Sequence, residues 1–236
     1  GLPAVLKKEA LLLLNVEPGF DAANPAVAKE ALKGAGLVVS MTQFKDANTD
    51  IADVLLPIAP FTETGGALVN AEGRVQSFHG VVKPLGETRP GWKVLRVLGN
   101  LLDLQGFEQE TVEEVRAQAL GDASAIASRL DNKSVAAIAV PTSAPPGLER
   151  ITDVPIYAAD PIVRRAPSLQ ATADAATPVI GVPSALWAQL GNSVIVTQGS
   201  VRVALPARED VTLAPDALRV PAPIGAAMFG PISIER

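Results

Sequence analysis

The feature that most limits the fold is the alternation of short apolar runs with one amphipathic segment between Ala10 and Leu56. Ala10-Leu-Leu-Leu-Leu14 carries no polar interruption and is ended by Glu17-Pro18-Gly19; a run of that length suits a strand buried on both faces. Asn24-Pro25 then supplies an N-cap followed by proline at the first helical position. Ala26, Val27, Ala31 and Leu32 form a helical stripe that stops at Gly34 or Gly36. Leu37 to Met41 reads as a second strand, Asn48 to Ala52 as a helical turn, and Val54 to Leu56 as a third strand closed by Pro57. Strand, helix and strand in this order imply parallel pairing, so the expected fold class is α/β with a Rossmann-like parallel sheet layer.

After Pro57 the pattern changes to a loop with Gly65-Gly66, a short strand at Ala67 to Val69 and an extended piece from Arg74 to Phe78. Trp92, Leu95, Leu98, Leu101 and Leu102 share one helical face. Thr111 with Glu114 reads as a capping box, and Asp122 caps a third helix carrying Ile126 and Leu130. These helices are expected to pack over the sheet. Pro141-Thr-Ser-Ala-Pro-Pro-Gly147 has linker composition, which suggests an α/β domain over 1–140, a linker over 141–150 and a small β-rich domain over 151–236. In that last part Val194 to Thr197 and Val201 to Leu205 flank Gln198-Gly199-Ser200 as a hairpin. Thr177 to Val182, Val211 to Leu213 and Leu218 to Val220 supply further strands, and Ser184 to Leu190 is a short helix stopped by Gly191. A barrel or sandwich accounts for this set better than a sheet with crossovers.

Composition excludes several kinds of chemistry. The chain has no cysteine, so it contains no disulfide framework, thiolate zinc site, cysteine nucleophile or cysteine-ligated iron-sulfur cluster. His79 is the one imidazole, which rules out a polyhistidine metal centre, and nearby Ser77 does not make it a triad; a solvent-facing or structural role is favoured. The net charge of -5 offers no basic field for nucleic acid or anionic lipid. Mean hydropathy is +0.27, yet the longest apolar runs, Leu11 to Leu14 and Val135 to Val140, fall far short of the roughly 20 residues that span a bilayer. Direct membrane insertion is therefore not expected. Gly1 stands where an initiator methionine would, with no charged-then-apolar leader behind it, so the chain reads as an internal piece of a longer polypeptide.

The usual phosphate-cradling and zinc-hydrolase motifs are absent, and no residue is assigned a catalytic role. The densest polar set is Glu63, Glu72 and Arg74, with Gly65, Gly66 and Gly73 permitting close backbone approach. It could cradle an anion or cofactor; the favoured alternative is an ion pair of Glu72 or Glu63 with Arg74 that staples a turn. Arg164-Arg165 is either a partner-docking pair or a solvated strand edge, with equal weight.

The runs Ala52-Asp-Val-Leu-Leu-Pro57, Thr62-Glu-Thr-Gly-Gly-Ala-Leu-Val-Asn70 and Ala71-Glu-Gly-Arg-Val-Gln76 closely resemble a signature of the molybdopterin oxidoreductase superfamily. Within it, Leu12-Leu-Leu-Asn-Val-Glu-Pro18, Arg89-Pro-Gly-Trp-Lys-Val-Leu-Arg96 and Gly225-Ala-Ala-Met-Phe-Gly-Pro-Ile-Ser-Ile-Glu235 are similar to the large iron-sulfur subunits of bacterial respiratory complex I, the NADH:quinone oxidoreductase. The resemblance covers most of the chain, with little from residues 105 to 150 and 166 to 182. It implies a scaffold region supporting electron transfer from NADH to quinone. No cofactor would sit in this chain, and 2Fe-2S and 4Fe-4S clusters would be bound by the parent's N-terminal region. Partners would be that region and neighbouring peripheral-arm subunits, on the cytoplasmic side of the bacterial inner membrane.

Glu63, Asn70, Glu72 and Arg74 would then mark a relict pocket. Molybdenum enzymes of the superfamily usually carry Gly-x-Asn-Pro after the first strand, where this chain has Asn15-Val16-Glu17-Pro18, and Thr42 to Thr49 departs from their pattern as well. Glu17 would repel a pyrophosphate-bearing cofactor. The resemblance also leaves two rivals: the C-terminal half of a molybdopterin-dependent formate dehydrogenase or nitrate reductase, and a free-standing partner-docking module.

Overall fold

The computed structural model describes residues 8–130, 146–175, 178–222 and 224–236. Three strands, β1 (Ala10–Leu14), β2 (Leu37–Thr42) and β3 (Val54–Pro57), form a parallel sheet in the order β1-β2-β3. The crossover helix Pro25–Lys33 is capped by Asn24, whose Oδ1 accepts from the Val27 N–H at 3.2 Å. It lays Ala28 and Leu32 on the sheet, where Leu32 joins Leu11, Val38 and Ile51 in one core. Leu32 is 2% exposed, a burial that contributes roughly 1.5–3 kcal/mol. The expected turn at Asn48 to Ala52 is present, with the Ala52 N–H donating to the Asn48 carbonyl at 2.9 Å, and a 3-10 turn over Lys45–Ala47 precedes it. The Asn48 side chain turns inward, its Nδ2 donating to Val16 O and Ser40 Oγ, each at 2.8 Å, and so ties the loop after β1 to β2.

The second face of the sheet departs from expectation. Strand β1 is not buried on both sides: Leu12 and Leu14 are 48% and 45% exposed, and Leu37 and Val54 on the same face are 42% and 41% exposed. The register aligns Leu12, Val39 and Val54 in one row and Leu14, Met41 and Leu56 in the next. Helix Gly91–Leu101 meets this face at its start, where Gly91 lies against Leu14 and Ile58, and further along Val94, Val97 and Leu98 line a cleft with Leu56. Of the five residues expected on one helical face, Trp92, Leu95 and Leu98 are half-buried, whereas Leu101 and Leu102 remain 74% and 67% exposed. Helix Val112–Leu120 has the expected capping box of Thr111 with Glu114 and touches Gly65 through Val112. Asp122 accepts from Ser124 and opens a 3-10 turn leading into the four-residue helix Ile126–Arg129. Between Pro57 and these helices, β4 (Gly66–Val69) and β5 (Val75–Phe78) pair as an antiparallel hairpin.

The remainder is a closed six-stranded barrel. Strands β6 (Leu148–Asp153), β7 (Ile180–Val182), β8 (Ser193–Gln198), β9 (Val201–Glu209), β10 (Ala217–Pro221) and β11 (Gly230–Glu235) run in the order β10-β6-β11-β8-β9-β7. The β8–β9 hairpin is as expected, with the turn reduced to Gly199-Ser200. Ile180, Val182, Val194, Val196, Leu218, Val220 and Ile232 fill the interior, and Leu186, Trp187 and Leu190 of helix Ser184–Leu190 pack against it.

Arg150 crosses this interior at 4% exposure and donates to Gln198 Oε1 and to the Ala227 and Pro221 carbonyls. Desolvation lowers its pKa to about 10, so it stays charged at neutral pH. Val211 to Leu213 is not the expected strand: Asp210 accepts from the Thr212 N–H and hydroxyl and turns the chain there. Strands β6 and β11 have no counterpart among the strands expected from the sequence, and β6 begins inside the expected linker. Linker residues 141–145, the run Val135 to Val140 and the strand start at Thr177 lie outside the described residues.

Candidate functional site at the carboxyl edge of the sheet

The four expected pocket residues do not converge. Asn70, Glu72 and Arg74 are exposed around the tip of the β4–β5 hairpin, whereas the Glu63 carboxylate accepts from the Leu85 N–H at 3.0 Å in a separate loop. Among the described residues Arg74 makes no ion pair with Glu72 or Glu63, so the expected staple is absent in that form. Asn70 performs the stapling: its Oδ1 accepts from the backbone N–H groups of Glu72 at 3.0 Å and Arg74 at 2.9 Å. A short amide that closes a tight loop costs less entropy than two long charged side chains held in water.

Gly73 has φ +80, and a Cβ there would stand 2.7 Å from the Ala127 backbone, so close approach is needed to seat the helix Ile126–Arg129, not a ligand. At Gly66 a Cβ would meet the Phe78 ring at 2.7 Å. His79 is exposed, and among the described residues no side chain pairs with it to form a triad. The nearest cleft, of about 590 Å³, is lined by Glu63, Thr64, Lys83, Arg89, Trp92 and Lys93 and includes none of Asn70, Glu72 and Arg74.

The most organised polar group lies elsewhere, where β1 and β2 end. Glu17 is 3% exposed shortly after β1. Its Oε2 accepts from Arg164 Nη1 at 2.9 Å and its Oε1 from Arg165 Nη1 at 2.7 Å. Arg164 also reaches Asp21 Oδ1 at 2.6 Å, and Arg165 reaches Asp46, which follows β2, at 3.2 Å. The guanidinium of Arg164 stacks 4.5 Å from the Phe20 ring centre and that of Arg165 4.3 Å from Phe44. Arg164 is the last residue of the helical turn Pro161–Arg164, which Asp160 caps. The arginine pair is thus neither a docking patch nor a strand edge: it is an internal clamp between the segment after β6 and the ligand-facing edge of the sheet. The sequence does not mark Asp21, Asp46 or the role of the arginines, because 147 residues separate Arg164 from Glu17 and only charge sign links them.

Residues 2–101 match the family model described as molybdopterin oxidoreductase. Among solved structures the chain is similar to acetylene hydratase from Pelobacter acetylenicus, with a TM-score of 0.59 and 18% identity over 90% of this chain and 37% of that one, a likeness of fold. Among curated proteins it is 39% identical over 112 residues to an NADH-quinone oxidoreductase subunit, the one lettered G, of Mycobacterium bovis, covering 46% of this chain and 14% of that protein. It is 31% identical over 99 residues to a putative formate dehydrogenase of Staphylococcus aureus, covering 42% of this chain and 10% of that protein. The chain therefore spans 10–14% of the length of these curated relatives.

The residues at the sheet edge do not fit the pyrophosphate-bearing cofactor that the family name implies. An anion approaching the end of β1 meets the Glu17 carboxylate, and both guanidinium groups that could receive it are already engaged. Among the described residues no group of His, Cys, Asp and Glu is arranged to hold a metal ion, and no helix is long and apolar enough to cross a membrane.

Proposed function

We propose that the chain is the cofactor-free scaffold part of the large iron-sulfur subunit of an NADH-quinone oxidoreductase. The observation that carries this reading is the outer face of the sheet, where Leu12, Leu14, Leu37 and Val54 are 41–48% exposed. Parallel sheets are stable when both faces are covered, and a contiguous apolar face of this kind belongs against other protein. In this reading the face packs on the remainder of the parent subunit, which would carry the 2Fe-2S and 4Fe-4S clusters because this chain has no cysteine to ligate them. Neighbouring peripheral-arm subunits would be the other partners, on the cytoplasmic side of the bacterial inner membrane.

The choice of branch is supported by 39% identity to the NADH-quinone oxidoreductase subunit of Mycobacterium bovis, against 29–31% to the putative formate dehydrogenases of Staphylococcus aureus. Those same formate dehydrogenase relatives favour the second reading, that the chain belongs to a molybdopterin-dependent oxidoreductase. Elemental analysis of the intact parent separates the two: iron without molybdenum or tungsten is expected, and stoichiometric molybdenum or tungsten would overturn the scaffold assignment.

A further inference from the structure

Helix Gly91–Leu101 and the loop before it carry a row of cations on an acidic chain. Residues 83 to 96 hold Lys83, Arg89, Lys93 and Arg96 against the single carboxylate Glu87, whereas the whole chain has a net charge of -5. Among the described residues none of these four cations is in an ion pair. Arg89, Lys93 and Arg96 edge a cleft of about 450 Å³ whose remaining wall is apolar, with Val94, Val97 and Leu98 from the helix and Leu56 from β3. Leu56 shares its row with Leu14, so the cleft continues the exposed face of the sheet. Val97 is 52% exposed. Arg96 Nε is buried without a hydrogen-bond partner among the described residues, a donor that lacks its acceptor. Arg89 and Lys93 also border the larger cleft beside Lys83 and Trp92, where the Glu63 carboxylate is already engaged by the Leu85 N–H.

We propose that this cleft seats an amphipathic helix of a partner protein segment, with its apolar ridge on Leu56, Val94, Val97 and Leu98 and its aspartate or glutamate flank against Arg89, Lys93 and Arg96. A helix is the fitting element because the faces of parallel sheets are covered by helices, and an apolar row at i, i+3 or i+4, and i+7 fills a groove of this kind. Carboxylates on its flank supply the missing acceptors and counter-ions, and the same cations repel a basic segment. A concave cleft suits a helix of ~10 Å diameter better than it suits the flat surface of a bilayer. The inference rests on the reading that the outer sheet face is covered by the parent, and it adds the chemistry of what covers it. The two fail separately, because the metal content that decides between parents does not enter the test of the cleft.

The test compares the intact parent with the isolated 236-residue chain. Acylation of the exposed Lys93 amine is expected to be at least about tenfold slower in the parent, the factor that ~1.4 kcal/mol of closure produces. Carbodiimide treatment of the parent is expected to join Lys93 to an aspartate or glutamate outside residues 1–236, in a segment with apolar residues three and four positions away. Val97→Asp is expected to leave the melting of the isolated chain unchanged and to return Lys93 acylation in the parent to the isolated-chain rate. Should that parent not assemble, Lys93→Arg keeps the charge, and its parent is expected to assemble and to lose the cross-link at this position. Equal acylation of Lys93 in parent and isolated chain overturns the proposal. So do cross-links confined to carboxylates within residues 1–236, a cross-linked segment without the apolar row, and protection that disappears when detergent strips lipid from the parent, which would assign the cleft to a membrane surface.

Discussion

Replacing Arg164 with alanine is the most informative perturbation of this fold. Arg164 is 8% exposed and Glu17 3%, so their ion pair lies in the interior, while the exposed pair Lys29–Asp50 has side chains at 40% and 53%. Removing one partner of a buried pair costs about 3–5 kcal/mol, because the charge left behind has lost its hydration and its counter-ion. Here Glu17 keeps Arg165 at 2.7 Å, which places the expected loss near ~3 kcal/mol, the lower end of that range. For a chain of this size the loss corresponds to a fall in midpoint temperature of about 6–12 °C.

Arg165→Ala should cost less, about 1–2 kcal/mol, because Arg165 is 23% exposed and its second partner, Asp46, is 73% exposed. Lysine at position 164 should recover under half of the loss, since a point charge cannot span Glu17 and Asp21 as the planar fork does. Urea midpoints of wild type, the three variants and a Lys29→Ala control decide the matter. An Arg164→Ala loss below about 1 kcal/mol, or no larger than that of Arg165→Ala, would show that solvent reaches the clamp and that the burial argument is wrong.

Two further outcomes follow from other parts of the molecule. Asn70→Ala removes the acceptor of two backbone N–H groups and should cost about 1 kcal/mol, while Arg74→Ala should stay within about 0.5 kcal/mol of wild type; the opposite order in thermal melts would restore the arginine staple. Hydrogen bonds from the Thr212 hydroxyl, the Arg219 side chain and the Thr212 N–H hold the Asp210 carboxyl down at about 2. That value lies below the ordinary range near 4, so the stabilisation is complete above about pH 4 and is lost as pH falls toward 2. The difference in melting temperature between wild type and Asp210→Asn should therefore shrink between pH 4 and pH 2, and a difference constant across that window would exclude the assignment.

The apolar sheet face and the charged clamp describe one molecule with two kinds of surface at the same sheet. The face through Leu12 and Val54 is exposed in this chain, whereas the edge at Glu17 is covered by the chain itself.

Most of the local order was legible from residue order. The parallel strands at Ala10, Leu37 and Val54, the Asn24 cap, the Thr111–Glu114 box and the β8–β9 turn follow from apolar period, capping chemistry and turn residues, all of which act over a few positions. A barrel-like domain was legible from the short strands and the hairpin, but the strands β6 and β11 that close it were not, because they meet their partners only after the intervening chain has folded, and Arg150 reads as a surface residue until its acceptors surround it.

The candidate site divides in the same way. Glu17 stood out from the sequence as an obstacle to an anion at the end of β1, and the tertiary structure supplied the rest by bringing Arg164 and Arg165 across 147 and 148 residues to neutralise it. Ion pairing depends on distance in space and on desolvation, neither of which is written in the spacing of residues along the chain.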